Sequence, residues 1–214
     1  ELMVVIAIIV LLVSLLFVVG QPLRQTSLRT KCLVNQRTIA LAAQVYATSN
    51  DGRYVSPRTD TTKPEPNMGA VSNPWVNCST AAGTLIGNVE QPSSLEKGAL
   101  WPYMNQNYAA YKSPLDPNKR VRSYSLNAFV GVGGCDPNPN LKYCDDLYTY
   151  GKQTVAATQV PQPSSTMAVI GEEDNDGWNP HGWVIECQSS AAGVPINTNK
   201  WIDLPSFWDG NRIN

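Results

Sequence analysis

The sequence predicts an α+β protein in which a long N-terminal helix packs on a loop-rich C-terminal domain with an antiparallel β-sheet. Three observations predict it. From Leu2 to Val19 the only polar side chain is Ser14. From Leu23 to about Asn50, apolar residues recur at three- and four-residue spacing, the signature of an amphipathic helix. Beyond that point Gly, Pro, Asn, Ser and Thr abound, and short apolar runs alternate with turn residues. The chain therefore divides into a hydrophobic helix over 1–22, its amphipathic continuation over 23–52 and a β-rich extracytoplasmic domain over 53–214.

The first run, as a helix, rises about 27 Å, close to the roughly 30 Å of a bilayer's hydrocarbon core. It lacks the basic head and small-residue cleavage site of a secretory signal peptide. It is also longer than most buried core helices. A plain membrane anchor is what its length and composition leave open. The carboxylate of Glu1 stands at the edge of this run with no Lys or Arg beside it. Gly20 and Pro22 then weaken helical continuity.

In the second stretch Leu28, Cys32, Ile39, Ala42, Ala43, Tyr46 and Ala47 form the apolar face, and Arg24, Arg29, Lys31 and Arg37 take other positions. Those bases either touch lipid headgroups or face solvent and neighbouring subunits. Asn50-Asp51-Gly52 is a helix stop followed by a turn.

Residues 53–98 are rich in Pro, Asn, Thr and Gly with few periodic apolar runs, and 60–67 is a loop. Ala99-Leu100-Trp101-Pro102-Tyr103-Met104 opens a short helical or turn segment that runs toward Tyr108–Lys112. Val121, Tyr124 and Leu126 with Phe129-Val130 suggest a strand, as do Val155–Val160 and Thr166–Ile170.

With 16 Lys and Arg against 17 Asp and Glu, net charge is −1, so no broad electrostatic drive to nucleic acid exists. The five cysteines contain no Cys-x-x-Cys pair and there is one histidine, so zinc-ligand spacing is missing. Cysteines in an exported domain read as disulfides. Cys135 and Cys144 bracket a Pro/Asn turn and are the preferred pair, with Cys78 and Cys187 as a second. Glu172, Glu173, Asp174 and Asp176 lie within five residues. The plain reading is an acidic surface loop. Calcium is the cofactor such oxygen ligands would take, with Glu173, Asp174 and Asp176 preferred, although EF-hand spacing is not met. Apart from calcium, no cofactor is expected. Trp178, Trp183, Trp201, Phe207 and Trp208 serve either a core or a sugar-binding platform. A catalytic imidazole would have to be His181. No Gly-x-Ser-x-Gly elbow occurs, and Gly131-Val132-Gly133-Gly134 lacks the Lys-Ser/Thr of a P-loop, so no enzyme is expected.

Glu1-Leu2-Met3-Val4-Val5-Ile6-Ala7-Ile8-Ile9 resembles the start of type IV pilins and type II secretion pseudopilins. Lys31-Cys32-Leu33-Val34-Asn35-Gln36-Arg37-Thr38-Ile39, leading to Tyr46 and Asn50-Asp51-Gly52, resembles a second signature of a large pilin-like group. Ser113-Pro114-Leu115-Asp116 followed by Arg122-Ser123-Tyr124 resembles that group's Arg-Cys-Pro-x-Asp and Arg-Ser-Tyr stretches, with Ser113 in place of the cysteine. In relatives that cysteine can pair with the helix cysteine, which is Cys32 here. The group's C-terminal motif, a histidine, nine residues and Asp-Gly, is at best half visible around Asp209-Gly210.

The resemblance implies the type IV pilin fold and a filament subunit. Subunit assembly would run through Glu1, Leu2, Val5, Ile8, Ile9 and Leu12, with local helix melting at Gly20 and Pro22. Relatives place the proline about one helical turn closer to the serine than Pro22 is to Ser14. Implied partners are identical or related pilin subunits in a homopolymer, an inner-membrane assembly platform and a prepilin peptidase. That peptidase would remove a leader lying about four residues upstream of Glu1. The implied location is the inner membrane, as a single-pass subunit, and then a cell-surface filament. A minor pseudopilin of a secretion pseudopilus and a membrane-anchored carbohydrate-binding module are the alternatives.

Overall fold

The computed structural model describes residues 2–59, 73–78, 91–127, 130–131, 156–160, 162–173, 205–206 and 208; for 16–20 the description is of the backbone. One helix, α1, runs without a break from Leu2 to Ser49. A five-residue helix, α2 (Pro92–Glu96), follows, and then two 3-10 turns, Trp101–Met104 and Tyr108–Tyr111. Strand β1 (Tyr124–Leu126) pairs antiparallel with β2 (Val169–Gly171), Ser125 facing Ile170 in register. A third 3-10 turn lies between them at Ala157–Gln159. A long helix with a small antiparallel sheet bears out the coarse α+β expectation.

α1 keeps its polar side chains from competing with the helix by folding them back onto it. Thr26, Thr30, Thr38 and Thr48 each donate to the carbonyl four residues earlier, at 2.8–3.0 Å. Pro22 sits inside the helix on its exposed side. Having no N–H, it removes one ladder bond, yet the helix continues through it. The end is set by sequence as expected. Asp51 takes a left-handed φ of 54° and Gly52 one of 76°. Gly52 N–H then reaches back to Ala47 O at 2.8 Å, a Schellman-type stop.

The core lies where the second half of α1 meets the domain. Cys32, Ile39, Ala42 and Ala47 are buried against Val55, Trp75, Leu95, Leu100, Met104, Tyr111, Tyr124 and Val169. The rings of Tyr46 and Tyr103 meet edge-on across this junction, with centroids 5.6 Å apart. Trp75 stacks on Tyr111 at 5.9 Å, and the Arg122 guanidinium lies 5.4 Å over the indole of Trp75. Gly98 permits that packing: a Cβ there would stand 2.2 Å from Trp75 O.

Four expectations are corrected. Among the described residues no helix is long and apolar enough to cross a membrane. This overturns the single-pass inner-membrane subunit. Secondly, the lack of apolar period in 53–98 does not leave 53–59 and 73–78 outside the core. Trp75 N–H bonds Ser56 O at 3.0 Å and Cys78 N–H bonds Thr59 O at 2.7 Å. Val55, Trp75 and Val76 are core residues. Thirdly, Val155–Val160 is not a strand where described. Gln159 folds its amide oxygen back to Ala156 N–H at 3.2 Å, which closes a turn. Finally, Glu172 is not part of a solvated loop: it is buried, with its N–H bonded to Ser123 O at 3.0 Å.

Candidate functional site

The head of α1 is the feature that most requires a functional account. Its large apolar side chains, from Leu2 to Leu15, are 44–85% exposed, and they point in every direction around the helix axis. No element of the domain covers any of them among the described residues. Leu2, Val5, Ile8, Ile9 and Leu12 are all in this set, and the last four make one stripe at three- and four-residue spacing. Ser14 interrupts the run chemically but not physically. Its hydroxyl donates to Leu11 O at 2.8 Å, so the donor is consumed within the helix.

The root of the same helix is held by a buried polar junction. Asn35 lies on the buried face, and its Nδ2 donates to Ala109 O at 3.1 Å and to Lys112 O at 2.9 Å. This one side chain satisfies two carbonyls at the second 3-10 turn, which would otherwise be stranded near the core. Three residues earlier, Cys32 Sγ accepts from Tyr124 Oη at 3.3 Å and from Ser113 Oγ at 3.6 Å. Cys32 is a buried thiol and forms no disulfide among the described residues. Burial pushes the Tyr124 phenol well above its ordinary range, and its hydrogen bond to Cys32 acts in the same direction.

Asp116 braces this junction from the far side. Its buried carboxylate accepts from Arg120 Nε at 2.7 Å, from Ser123 Oγ at 2.6 Å and from Asn118 N–H at 2.9 Å. Lys112 Nζ adds a bond to Arg120 O at 2.8 Å. Arg120 also donates to Glu172 O and lies 5.5 Å over the Trp208 ring. The loop 113–123 is thereby fixed, and with it Ser113 and Tyr124 against α1.

The remaining sequence candidates divide as follows. Pro22 is exposed within α1, and Gly20 belongs to its backbone. Cys78 is buried. Glu173 is half-buried at the end of the sheet. Glu1, Cys135, Cys144, Asp174, Asp176, His181 and Cys187 lie outside the described residues, as do Trp178, Trp183 and Trp201. Among the described residues no group of three or more His, Cys, Asp or Glu is placed to hold a metal ion. Sequence reasoning passed over Asn35 and Asp116 as functional positions. Asn35 carried a usable signal, being a polar residue on the stripe defined by Cys32, Ile39 and Ala42.

No protein-family model, curated protein or solved structure matches the chain.

Proposed function

We propose that this protein is the structural subunit of a type IV pilus-like filament, with the pilin fold, polymerising through the head of α1. The observation that carries the reading is the exposed apolar head, uncovered on every side, on a helix whose second half buries Cys32, Ile39 and Ala42 in the core. Taken as a cylinder about 21 Å long and 10 Å across, it offers on the order of 650 Å² of lateral surface. Monomeric proteins rarely leave contiguous apolar patches beyond a few hundred Å² uncovered. Burying it among neighbours is worth up to about 16 kcal/mol. Association costs roughly 4–15 kcal/mol in lost freedom, so this helix alone can sustain a polymer.

Two further points support the same reading. The N-terminal and Lys31–Gly52 stretches resemble pilins in sequence. Ser113, which stands where the resembled group has a cysteine, lies 3.6 Å from the sulfur of the helix cysteine. A bundle of apolar helices also gives Glu1 a role. An ionised carboxylate in such surroundings is costly unless paired, so pairing with a neighbour's amine would fix subunit register.

The test is replacement of Glu1 by Ala and, separately, of Ile8 by Asp, followed by electron microscopy of sheared filaments. Both variants are expected to lose filaments while the domain keeps its melting temperature. Normal filaments from Glu1→Ala would refute the register role, and normal filaments from Ile8→Asp would refute assembly through this helix.

A further inference from the structure

Between the root of α1 and the sheet lies a cavity of about 290 Å³. It has no part in the assembly reading. Its floor is apolar, built from Ala40 and Ala43 of α1, from Val55, and from Leu126 and Val169 of the paired strands. Val160 and Pro163 close one side and Leu41, half-exposed, stands at the mouth. Alanines at 40 and 43 are what keep the space open, since larger side chains on that face of the helix would fill it.

The polar groups around it separate into two kinds. Asn127 and Thr166 are committed to the protein itself. Asn127 Nδ2 donates to Met167 O at 3.0 Å, and Thr166 Oγ1 to Gln162 O at 3.1 Å. Arg37 is different. It lines the cavity from an exposed position and has no hydrogen bond or ion pair among the described residues. Two helical turns on, the amide of Gln44 lines the same cavity, with no side-chain hydrogen bond among the described residues. A concave apolar wall with few available polar groups is the usual form of a small-ligand site. Here the charged one is a guanidinium, whose fork of donors matches a carboxylate or another oxyanion.

We infer that this cavity binds a small amphiphile with an apolar body and an anionic head, such as a medium-chain carboxylate, with Arg37 receiving the head. The apolar walls take the body; the lone cation sets the sign of the head. A neutral or cationic head of the same length gains the walls but not Arg37. Because Arg37 is exposed, the preference for the anion is about fivefold rather than a thousandfold.

The experiment uses the full-length chain and a photoreactive diazirine analogue of decanoic acid, with labelled peptides located by mass spectrometry. Label is expected on the peptides holding Ala40–Gln44 and Val160–Val169. Unlabelled decanoate should compete about fivefold better there than its methyl ester or decylamine. Arg37→Gln should erase that preference while leaving some labelling. Leu41→Trp, which plugs the mouth from an exposed position, should remove labelling of the cavity with the melting temperature unchanged. Labelling confined to Leu2–Leu15 would overturn the inference, because the probe would then be reading only the exposed helix. Equal competition by acid, ester and amine would overturn the role of Arg37. Cavity labelling that declines as protein concentration rises would mean a second copy fills the space, and would overturn it too.

Discussion

The head and the root of α1 belong to one continuous helix, yet they end in opposite environments. In the head, every large apolar side chain from Leu2 to Leu15 is exposed. In the root, Ile39 is fully buried and Cys32, Ala42 and Ala47 nearly so. The difference is one of patterning. The head is apolar on all sides, so no single docking surface within the same chain could cover it; only several neighbours could. The root aligns Cys32, Ile39, Ala42 and Ala47 on one buried stripe and places its charges, with the exposed Leu33, Val34 and Val45, elsewhere, which suits packing on one side. The two halves thus differ in role within the chain: the root packs on the domain, and the head is left uncovered among the described residues, which is the basis of the assembly proposal.

That contrast can be broken most severely at the head. Loss of filaments in Ile8→Asp, with an intact domain, is the largest expected effect because assembly is all or none. The converse substitution lies in the root. Ile39→Ala should destabilise the monomer by about 3 kcal/mol through lost burial and a residual cavity. Ile8→Ala should change monomer stability by no more than about 0.5 kcal/mol. Chemical denaturation of both variants at low concentration measures the pair, and similar losses in the two would erase the distinction between the halves.

The junction offers a gain rather than a loss. Ser113→Cys brings a second sulfur beside Cys32, and the side-chain atoms now stand 3.6 Å apart across 81 residues of chain. Under oxidising conditions a disulfide should form and raise stability by about 2–4 kcal/mol. Thiol titration and melting with and without reductant test this. Two free thiols after oxidation would mean that the loop and helix are not held as described.

The smallest expected effect is alkaline. The fold holds the Tyr124 proton more tightly than the unfolded chain does, because burial and the bond to Cys32 both favour the neutral phenol. A group whose folded pKa is raised contributes its full stabilisation below its unfolded pKa, here about 10. Stability should therefore be insensitive to this group at neutral pH and fall as pH rises past about 10. Tyr124→Phe should reduce the steepness of that fall in melting temperature measured from pH 8 to 11. An unchanged slope would assign the alkaline loss to other groups.

Much of the helix was legible from residue order alone. Asn50-Asp51-Gly52 stops it because Asp51 and Gly52 take left-handed φ values and return an N–H to Ala47, and such local chemistry can be read locally. The apolar stripe of Cys32, Ile39, Ala42 and Ala47 followed from 3.6-residue periodicity. The strand pair was foreshadowed by Tyr124, Leu126 and Val169-Ile170, though not its register. The segments around Val55 and Trp75 have no period, so nothing local marks them as core. They are core because residues far away in sequence close over them, as Ser56 and Trp75 do through one hydrogen bond. The exposed stripe at Val5, Ile8, Ile9 and Leu12 lies in a run that is apolar in sequence, whereas the bracing of the junction by Asn35 and Asp116 carries no such local pattern.

By itself, then, the sequence determined one long helix, its stop at Asn50-Asp51-Gly52, and which of its stretches is apolar throughout and which on one side only. Tertiary structure alone decided which half finds a partner within the chain. It also placed Ser113 and Tyr124 on Cys32 and left Arg37 beside an open cavity. The physical reason is range. Backbone hydrogen bonding and side-chain period act over a few residues. Burial, the pairing of polar groups and the voids between elements depend on contacts tens of residues apart, which no local pattern records.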